Sequence, residues 1–183
     1  MNLILINKNL NLVKNLVIIL TATLVLTISA KIKIPFYPVP MTMQTFAIVV
    51  IGMMFGWKMG LTIVATYLLQ GLAGLPVFAG TPEKGLGFVY MTGPTMGYLI
   101  GFLISVFFAG YFRYSKNIFT NFIKILFSIS FIYILGLFWL GVLIGWDKPI
   151  FELGAKPFLF AEIFKISIAA LLALKLTSFK SKI

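Results

Sequence analysis

The run Ile125–Trp146 reads ILFSISFIYILGLFWLGVLIGW and contains no charged residue over 22 positions. A helix needs about 20 apolar residues to cross the hydrocarbon core of a bilayer, so this run is long enough to span one. Similar charge-free runs occupy much of the remaining chain, at Asn15–Ala30, Ile34–Trp57, Met59–Pro82 and Gly85–Phe112. The pattern predicts an all-α integral membrane protein.

The composition supports this class. The chain has 183 residues, of which 61% are hydrophobic and 10% charged, whereas a soluble domain carries about 25% charged residues. We expect one transmembrane domain over residues 1–183, with no room for a separate soluble domain. Six spans fit the runs, at Leu12–Ala30, Thr42–Trp57, Met59–Leu72, Thr95–Phe112, Phe122–Gly145 and Phe158–Ser178. The preceding segment, Met1–Asn11, is predicted to be a cytoplasmic start and not a signal peptide.

The distribution of basic residues predicts the orientation, because cytoplasmic connections of membrane proteins are rich in Lys and Arg. With the N-terminus inside, the inner side has no acidic residue and holds Lys8, Lys14, Lys58, Arg113, Lys116, Lys124, Lys175, Lys180 and Lys182. The outer connections mix both signs, with Lys31, Lys33, Lys84, Lys148 and Lys156 against Glu83, Asp147 and Glu152. We therefore predict that both termini are cytoplasmic. The net charge of +11 then needs no nucleic acid partner.

The last predicted span contains an acid and a base, Glu162 and Lys165. Residues three apart share one face of a helix, and a lysine near the centre of a bilayer costs about 2.5–3.5 kcal/mol on insertion scales. Such a pair suits a polar ligand site inside the protein. The alternative is an interfacial pair that reaches toward outer headgroups.

The segment Ile34–Thr45, read IPFYPVPMTMQT, has three prolines within six positions. Proline opposes helix and favours extended backbone, so we expect a stiff hairpin on the outer side, with Thr42 capping the next helix. If this hairpin covers a cavity as a lid, the side-chain amide of Gln44 would lie near that cavity. The alternative is a rigid connection without a ligand role.

Glycines and small residues mark close helix contacts. Gly97 and Gly101 form a GxxxG step, which lets membrane helices touch, and Tyr98 between them could supply an aromatic wall and a hydroxyl. In the first span, Thr23 and Thr27 lie on a small-residue stripe. That stripe fits packing within the chain and contact with another membrane protein equally well.

The missing residue types exclude several classes of function. The chain has neither Cys nor His, so thiol nucleophiles, imidazole bases and the usual zinc ligands are absent. Only four acids occur, and none forms a paired carboxylate site for a metal-dependent reaction. We therefore expect no enzyme, no catalytic residue, no metal and no cofactor.

Three motifs together resemble the BioY family, the biotin-binding S components of energy-coupling factor (ECF) transporters. They are the proline segment above, the run Gly-Leu-Pro-Val-Phe-Ala-Gly at 74–80, and Thr-Gly-Pro-Thr-Met-Gly-Tyr-Leu-Ile-Gly-Phe at 92–102. The end of the chain, Pro-Phe-Leu-Phe-Ala-Glu-Ile-Phe-Lys at 157–165, resembles the family's last helix, which usually has aspartate where this chain has Glu162.

This resemblance implies an S-component fold of six helices in the cell membrane, with biotin as the transported ligand. It implies that Glu162 and Lys165 engage the polar groups of biotin, with Gln44, Tyr98 and Gly97 near the pocket and Phe36 and Val39 in the lid. It also implies a membrane coupling protein, contacted through Thr23 and Thr27, and a pair of ATPases. The alternatives are a solitary biotin transporter, an S component for another vitamin, and a structural subunit without a small ligand.

Overall fold

The computed structural model describes the backbone of residues 2–180 and the side chains of residues 12–176. The side chains of the predicted cytoplasmic start, Met1–Asn11, lie outside the described residues. The described chain is almost entirely helical, as predicted. Its elements are α1 (Asn2–Lys31), β1 (Lys33–Ile34), β2 (Met41–Thr42), α2 (Gln44–Leu72), α3 (Phe88–Met91), α4 (Met96–Tyr111), α5 (Ile118–Ile144), α6 (Ile150–Gly154), a 3-10 turn (Lys156–Phe158) and α7 (Leu159–Lys180).

Four segments in the described part of the chain are long and apolar enough to cross a membrane: Leu12–Lys31, Gln44–Leu72, Ile118–Ile144 and Ile150–Leu176. A shorter apolar helix, Met96–Tyr111, lies between the second and third of them. The chain is therefore a helical membrane protein. Most predicted helix ends fall within one or two residues of the observed ones, but α1 begins at Asn2, ten residues before the predicted Leu12. Helix α5 begins four residues before the predicted Phe122.

Helix α2 folds back on itself, although its helical backbone is interrupted only at Gly56. Gly56 has φ +75° and ψ 171°, in the region that favours glycine. The side-chain amide of Gln44 donates a 2.8 Å hydrogen bond to the hydroxyl of Tyr67, 23 residues later. In a straight helix these residues would lie about 35 Å apart along the axis. The two halves therefore run antiparallel, and Gly56 lies one residue before the end of the predicted second span, Trp57.

The proline segment forms the predicted hairpin. β1 and β2 pair in antiparallel register, Lys33 with Thr42 and Ile34 with Met41. We predicted that Thr42 would be the residue directly before α2, as its cap. The helix starts at Gln44, whose backbone N–H donates to the Thr42 hydroxyl oxygen at 3.3 Å. The residue directly before the helix is therefore Met43, in the position predicted for Thr42.

Helices α2, α4 and α5 form the centre of the bundle. α4 packs between α2 and α5, while α1 contacts α2, and α7 contacts α5 and α2. A Cβ atom at Gly101 would lie 2.6 Å from the Ile132 Cα of α5, so glycine permits this close approach. The polar end of the bundle, where the hairpin and the start of α7 meet, contains the candidate site.

Candidate ligand-binding site

A cavity of about 50 Å³ lies below the hairpin. Its lining comes from several elements and mixes apolar walls with few polar groups. The lining residues are Val39, Pro40, Met41, Thr42, Gln44, Thr45, Ala79, Tyr90, Thr95, Tyr98, Leu99, Phe102, Ile132, Tyr133, Phe158 and Glu162. Four of the residues predicted from sequence, Val39, Gln44, Tyr98 and Glu162, are therefore brought together here.

Glu162 and Lys165 are both buried, with 5% and 4% of their surface exposed. They share one face of α7, and the Lys165 ammonium donates to Glu162 Oε1. Lys165 also donates to the Thr45 hydroxyl oxygen at 2.7 Å and to the Thr42 carbonyl at 2.9 Å. The alternative of an interfacial pair reaching toward headgroups is thus wrong for these side chains, because both point into the bundle.

The two carboxylate oxygens of Glu162 have different surroundings. Oε1 accepts from Lys165 and, at 3.0 Å, from the Thr45 hydroxyl. Oε2 is buried and has no hydrogen-bond partner within the described part of the chain. A buried acceptor without a partner costs about 1–3 kcal/mol. Glu162 lines the cavity, and the side chain of Tyr133, which lines it too, lies close enough to interact with the same carboxylate.

Lys165 does not itself line this cavity. An ammonium has three donor hydrogens, and its three acceptors here are Thr42, Thr45 and Glu162. It therefore neutralises Glu162 and fixes the position of the carboxylate. The hairpin is tied to α7 by the same group, since Thr42 belongs to β2.

Gln44 is part of a buried hydrogen-bonded chain. Its amide donates to the Tyr67 hydroxyl at 2.8 Å, and Tyr67 in turn donates to the Val77 carbonyl at 2.9 Å. The Gln44 amide oxygen accepts from Thr42 at 3.4 Å, a long contact. Gln44 thus connects the start of α2 to the loop that carries Ala79, another wall of the cavity.

Tyr98 contributes mainly its ring to the cavity. Its hydroxyl donates a 2.8 Å hydrogen bond to the Gly154 carbonyl, so the donor predicted to be available is already bound within the chain. The ring also meets Tyr133 edge-on, with 6.1 Å between centroids. Tyr98 therefore joins α4 to α6 and α5 around the cavity.

The remaining predicted site residues lie outside the cavity lining. Phe36 in the hairpin packs edge-on against Phe158, with 5.7 Å between ring centroids, and Phe158 itself is a wall of the cavity. At Gly97, an added Cβ would collide with the Leu135 carbonyl of α5. Gly97 accordingly permits the close packing of α4 against α5. Phe36 contacts the wall residue Phe158 without lining the cavity itself.

The small-residue stripe in α1, which contains Thr23 and Thr27, packs partly against another helix of the same chain. Thr23 is buried, and its hydroxyl oxygen accepts from the Gln70 amide of α2 at 3.3 Å. Thr27 is half-buried and donates to the Thr23 carbonyl at 2.9 Å. Packing within the chain thus occupies Thr23, and contact with a partner through Thr27 stays a prediction.

The sequence analysis missed four polar residues that line the cavity, Thr45, Tyr90, Thr95 and Tyr133. The Thr45 hydroxyl is hydrogen-bonded to both Glu162 and Lys165. Thr45 ends the proline segment, and no role was predicted for it from the sequence. Tyr133 lines the cavity near the Glu162 carboxylate and is the one tyrosine in the run Ile125–Trp146. A tyrosine hydroxyl near the middle of a charge-free span was the available signal for Tyr133. Among residues whose side chains are described, no group of three Asp, Glu, Cys or His residues could hold a metal.

Known proteins resemble this chain over most of its length. The model of the BioY family matches residues 5–182. This chain belongs to the BioY family. The biotin transporter BioY of Thermotoga maritima is 37% identical over 155 residues, covering 84% of this chain and 90% of that protein. A probable biotin transporter BioY of Pyrococcus horikoshii is 35% identical over 150 residues, covering 82% and 88%.

A solved structure also resembles this BioY-family chain. The 2.1 Å crystal structure of the S-component for biotin from an ECF-type ABC transporter superposes with a TM-score of 0.74. It is 27% identical and covers 93% of this chain and 94% of that one. The expected family is thus confirmed. Its matched members are named as transporters, which also agrees with the expectation that the chain is not an enzyme.

Proposed function

We propose that this chain is the biotin-binding S component of an ECF-type vitamin uptake transporter. Family membership supports the class of ligand. The observation that carries the proposal is Glu162, whose buried Oε2 has no hydrogen bond from any described residue, while its other oxygen accepts from Lys165 and Thr45. The cavity therefore offers one fixed anionic acceptor among aromatic and aliphatic walls.

Biotin has groups that match this site. Its cyclic urea has two N–H donors and one carbonyl acceptor, its thioether ring is apolar, and its tail ends in a carboxylate. A carboxylate accepts N–H bonds strongly, so the urea end is expected at Glu162 Oε2. A ligand carboxylate at this position would instead face a like charge. The apolar walls, among them Phe102, Ile132 and Phe158, suit the rings.

The membrane topology belongs to the same proposal. Counting the two halves of α2 separately gives six spans, together with α1, α4, α5 and α7. The basic residues support cytoplasmic termini in the cell membrane. In that orientation the hairpin would lie outside, as a lid over the cavity. The whole chain then acts as one substrate-binding domain that captures biotin outside and delivers it inward. A membrane coupling protein and a pair of ATPases, both separate chains, would supply the energy.

Equilibrium binding of labelled biotin to the purified protein tests the proposal. We expect submicromolar affinity, and competition by biotin analogues that keep the urea ring. Micromolar or weaker affinity would remove the proposed function. A panel of other vitamins separates the alternative ligand classes, and uptake in cells that lack the coupling protein and ATPases identifies a solitary transporter.

A further inference from the structure

Two segments outside the long helices contribute to the wall of the cavity. The hairpin contributes residues 39–42, and the loop of residues 73–87, between α2 and α3, contributes Ala79. The cavity measures about 50 Å³, whereas small-molecule sites are typically about 300–1,000 Å³. A ligand of the size of biotin can therefore enter only after the wall of the cavity has moved.

The side chain of Lys31, the last residue of α1, joins these two segments. Its ammonium group donates three hydrogen bonds of 3.0 Å, to the Phe78 carbonyl, the Thr81 carbonyl and the Thr81 hydroxyl oxygen. These contacts use all three donor hydrogens of the ammonium, and the wall residue Ala79 lies between the two acceptor residues in sequence. Since the hairpin strand β1 begins two residues after Lys31, one side chain connects the start of the hairpin to the loop.

Two buried tyrosines hold the same loop from inside the bundle. Tyr67 donates to the Val77 carbonyl at 2.9 Å, and Tyr90 donates to the Ala79 carbonyl at 2.7 Å. Both tyrosines are buried, whereas Lys31 is exposed. Water replaces a hydrogen bond at the surface at little cost, while a buried group left without its partner is penalised. The Lys31 contacts are therefore the ones that can break and re-form most readily.

The hairpin is fixed in a similar way on its inner side. Lys165, which is buried, donates to the Thr42 carbonyl at 2.9 Å. Both segments are thus held to the bundle by buried donors, and they are joined to each other at the surface by Lys31. The junction between hairpin and loop is the part of the wall where opening breaks only exposed contacts.

Glu83 belongs to the same loop, and its negative charge acts on the Lys31 ammonium. It is not within ion-pair distance, because the ion pairs of the described side chains are Asp147–Lys148, Glu152–Lys156 and Glu162–Lys165. The direct contacts of Lys31 are therefore those to Phe78 and Thr81, and Glu83 adds attraction at longer range.

We infer that Lys31 is a positioning residue that controls access to the cavity. Its three hydrogen bonds keep the loop of residues 73–87 against the hairpin, and a ligand passes between these segments when the bonds break. This inference rests on the proposed function. Because a ligand crosses the same barrier in both directions, loss of these bonds should speed entry and release alike.

The test measures the association and dissociation rates of radiolabelled biotin with the purified full-length protein. Lys31→Met keeps an unbranched stem but cannot donate. We expect both rate constants to rise by about fivefold or more, which corresponds to the loss of one net hydrogen bond, with Kd changed by about twofold or less. A faster dissociation with an unchanged association rate would overturn the inference, because Lys31 would then only maintain the shape of the site.

Two control variants separate the hydrogen bonds from charge. Lys33→Met removes the same charge two residues later, from a side chain with no hydrogen bond to the described residues, and should leave both rates unchanged. Glu83→Gln removes the longer-range attraction and should also change them little. An effect in either control as large as that of Lys31→Met would overturn the inference, since charge alone would explain it.

Hydrogen exchange in the loop gives a readout that does not require biotin. The backbone N–H groups of Lys84 and Gly85 donate to the Gly80 and Pro82 carbonyls at 2.8 and 2.9 Å. We expect these amides to exchange faster in Lys31→Met than in the wild type or Lys33→Met, and equal exchange would overturn the inference. Thermal unfolding verifies that the variants fold, and Lys31→Gln replaces Lys31→Met if the latter does not. Absence of biotin binding to the wild type would overturn the proposed function, while exchange would still decide whether Lys31 holds the loop.

Discussion

The hydroxyl oxygen of Thr45 accepts a 2.7 Å hydrogen bond from the ammonium group of Lys165, 120 residues later in the chain. The same hydroxyl donates to Glu162 Oε1 at 3.0 Å. One small side chain on α2 therefore fixes both charged residues of α7. It also sets the direction in which the free carboxylate oxygen of Glu162 faces the cavity.

Replacement of this bridge should weaken both stability and binding. Thr45→Val keeps the shape of the side chain but leaves a donor and an acceptor without their partner, which costs about 1–3 kcal/mol. We expect a lower temperature of unfolding and at least tenfold weaker biotin binding. Thr45→Ser keeps the hydroxyl and is the matched control; equal losses in the two variants would contradict the role of the hydrogen bonds.

Removal of the Lys165 charge should be more severe. Lys165→Met leaves the Glu162 carboxylate buried and unpaired, and breaking a buried pair in this way costs about 3–5 kcal/mol. Chemical unfolding of the ligand-free protein measures the change. The double variant Lys165→Met/Glu162→Gln should recover part of the stability but not biotin binding.

The chain offers a matched control for this pair. Glu152 and Lys156 form an ion pair at 2.9 Å, but their side chains are 59% and 61% exposed. Exposed pairs contribute at most about 1 kcal/mol, so Lys156→Met should change the free energy of unfolding little. A loss as large as that of Lys165→Met would show that burial is not what makes the α7 pair important.

The unpartnered oxygen of Glu162 gives a separate prediction for ligand recognition. Glu162→Gln keeps the size of the side chain but removes the charge and replaces one acceptor with a donor. We expect biotin affinity to fall by about tenfold to a hundredfold, because a charge-assisted hydrogen bond to the ligand is worth about 1.5–3 kcal/mol. Calorimetry on the purified variant measures this; unchanged affinity would mean that the urea does not bind at Glu162.

Gly97 should affect stability through helix packing. A Cβ atom there would collide with the Leu135 carbonyl of α5, and overpacking costs about 1–3 kcal/mol. Gly97→Ala should therefore lower the unfolding temperature by separating α4 from α5. Ile100→Ala changes an exposed position on the same helix and should have a smaller effect. A stable Gly97→Ala protein that has lost only biotin binding would support direct ligand contact instead.

The amino-acid sequence by itself determined that the chain is a helical membrane protein with a polar pair in its last span. Long charge-free runs have few other stable structures, because a bilayer requires every backbone hydrogen bond to be made internally. The proline segment likewise could not be helical, and the hairpin follows from that restriction. The three quoted motifs were specific enough to indicate the family.

Only the tertiary structure decided how the site is assembled. Thr45 and Lys165 lie far apart in sequence, and no local pattern brings them together. The sequence predicted two successive spans around Gly56, but not that Gln44 would meet Tyr67. The structure also showed that Lys165 is bound within the chain and that Glu162 keeps one free acceptor. Local periodicity places a side chain on a face of its own helix, whereas its hydrogen-bond partners depend on which helices pack together.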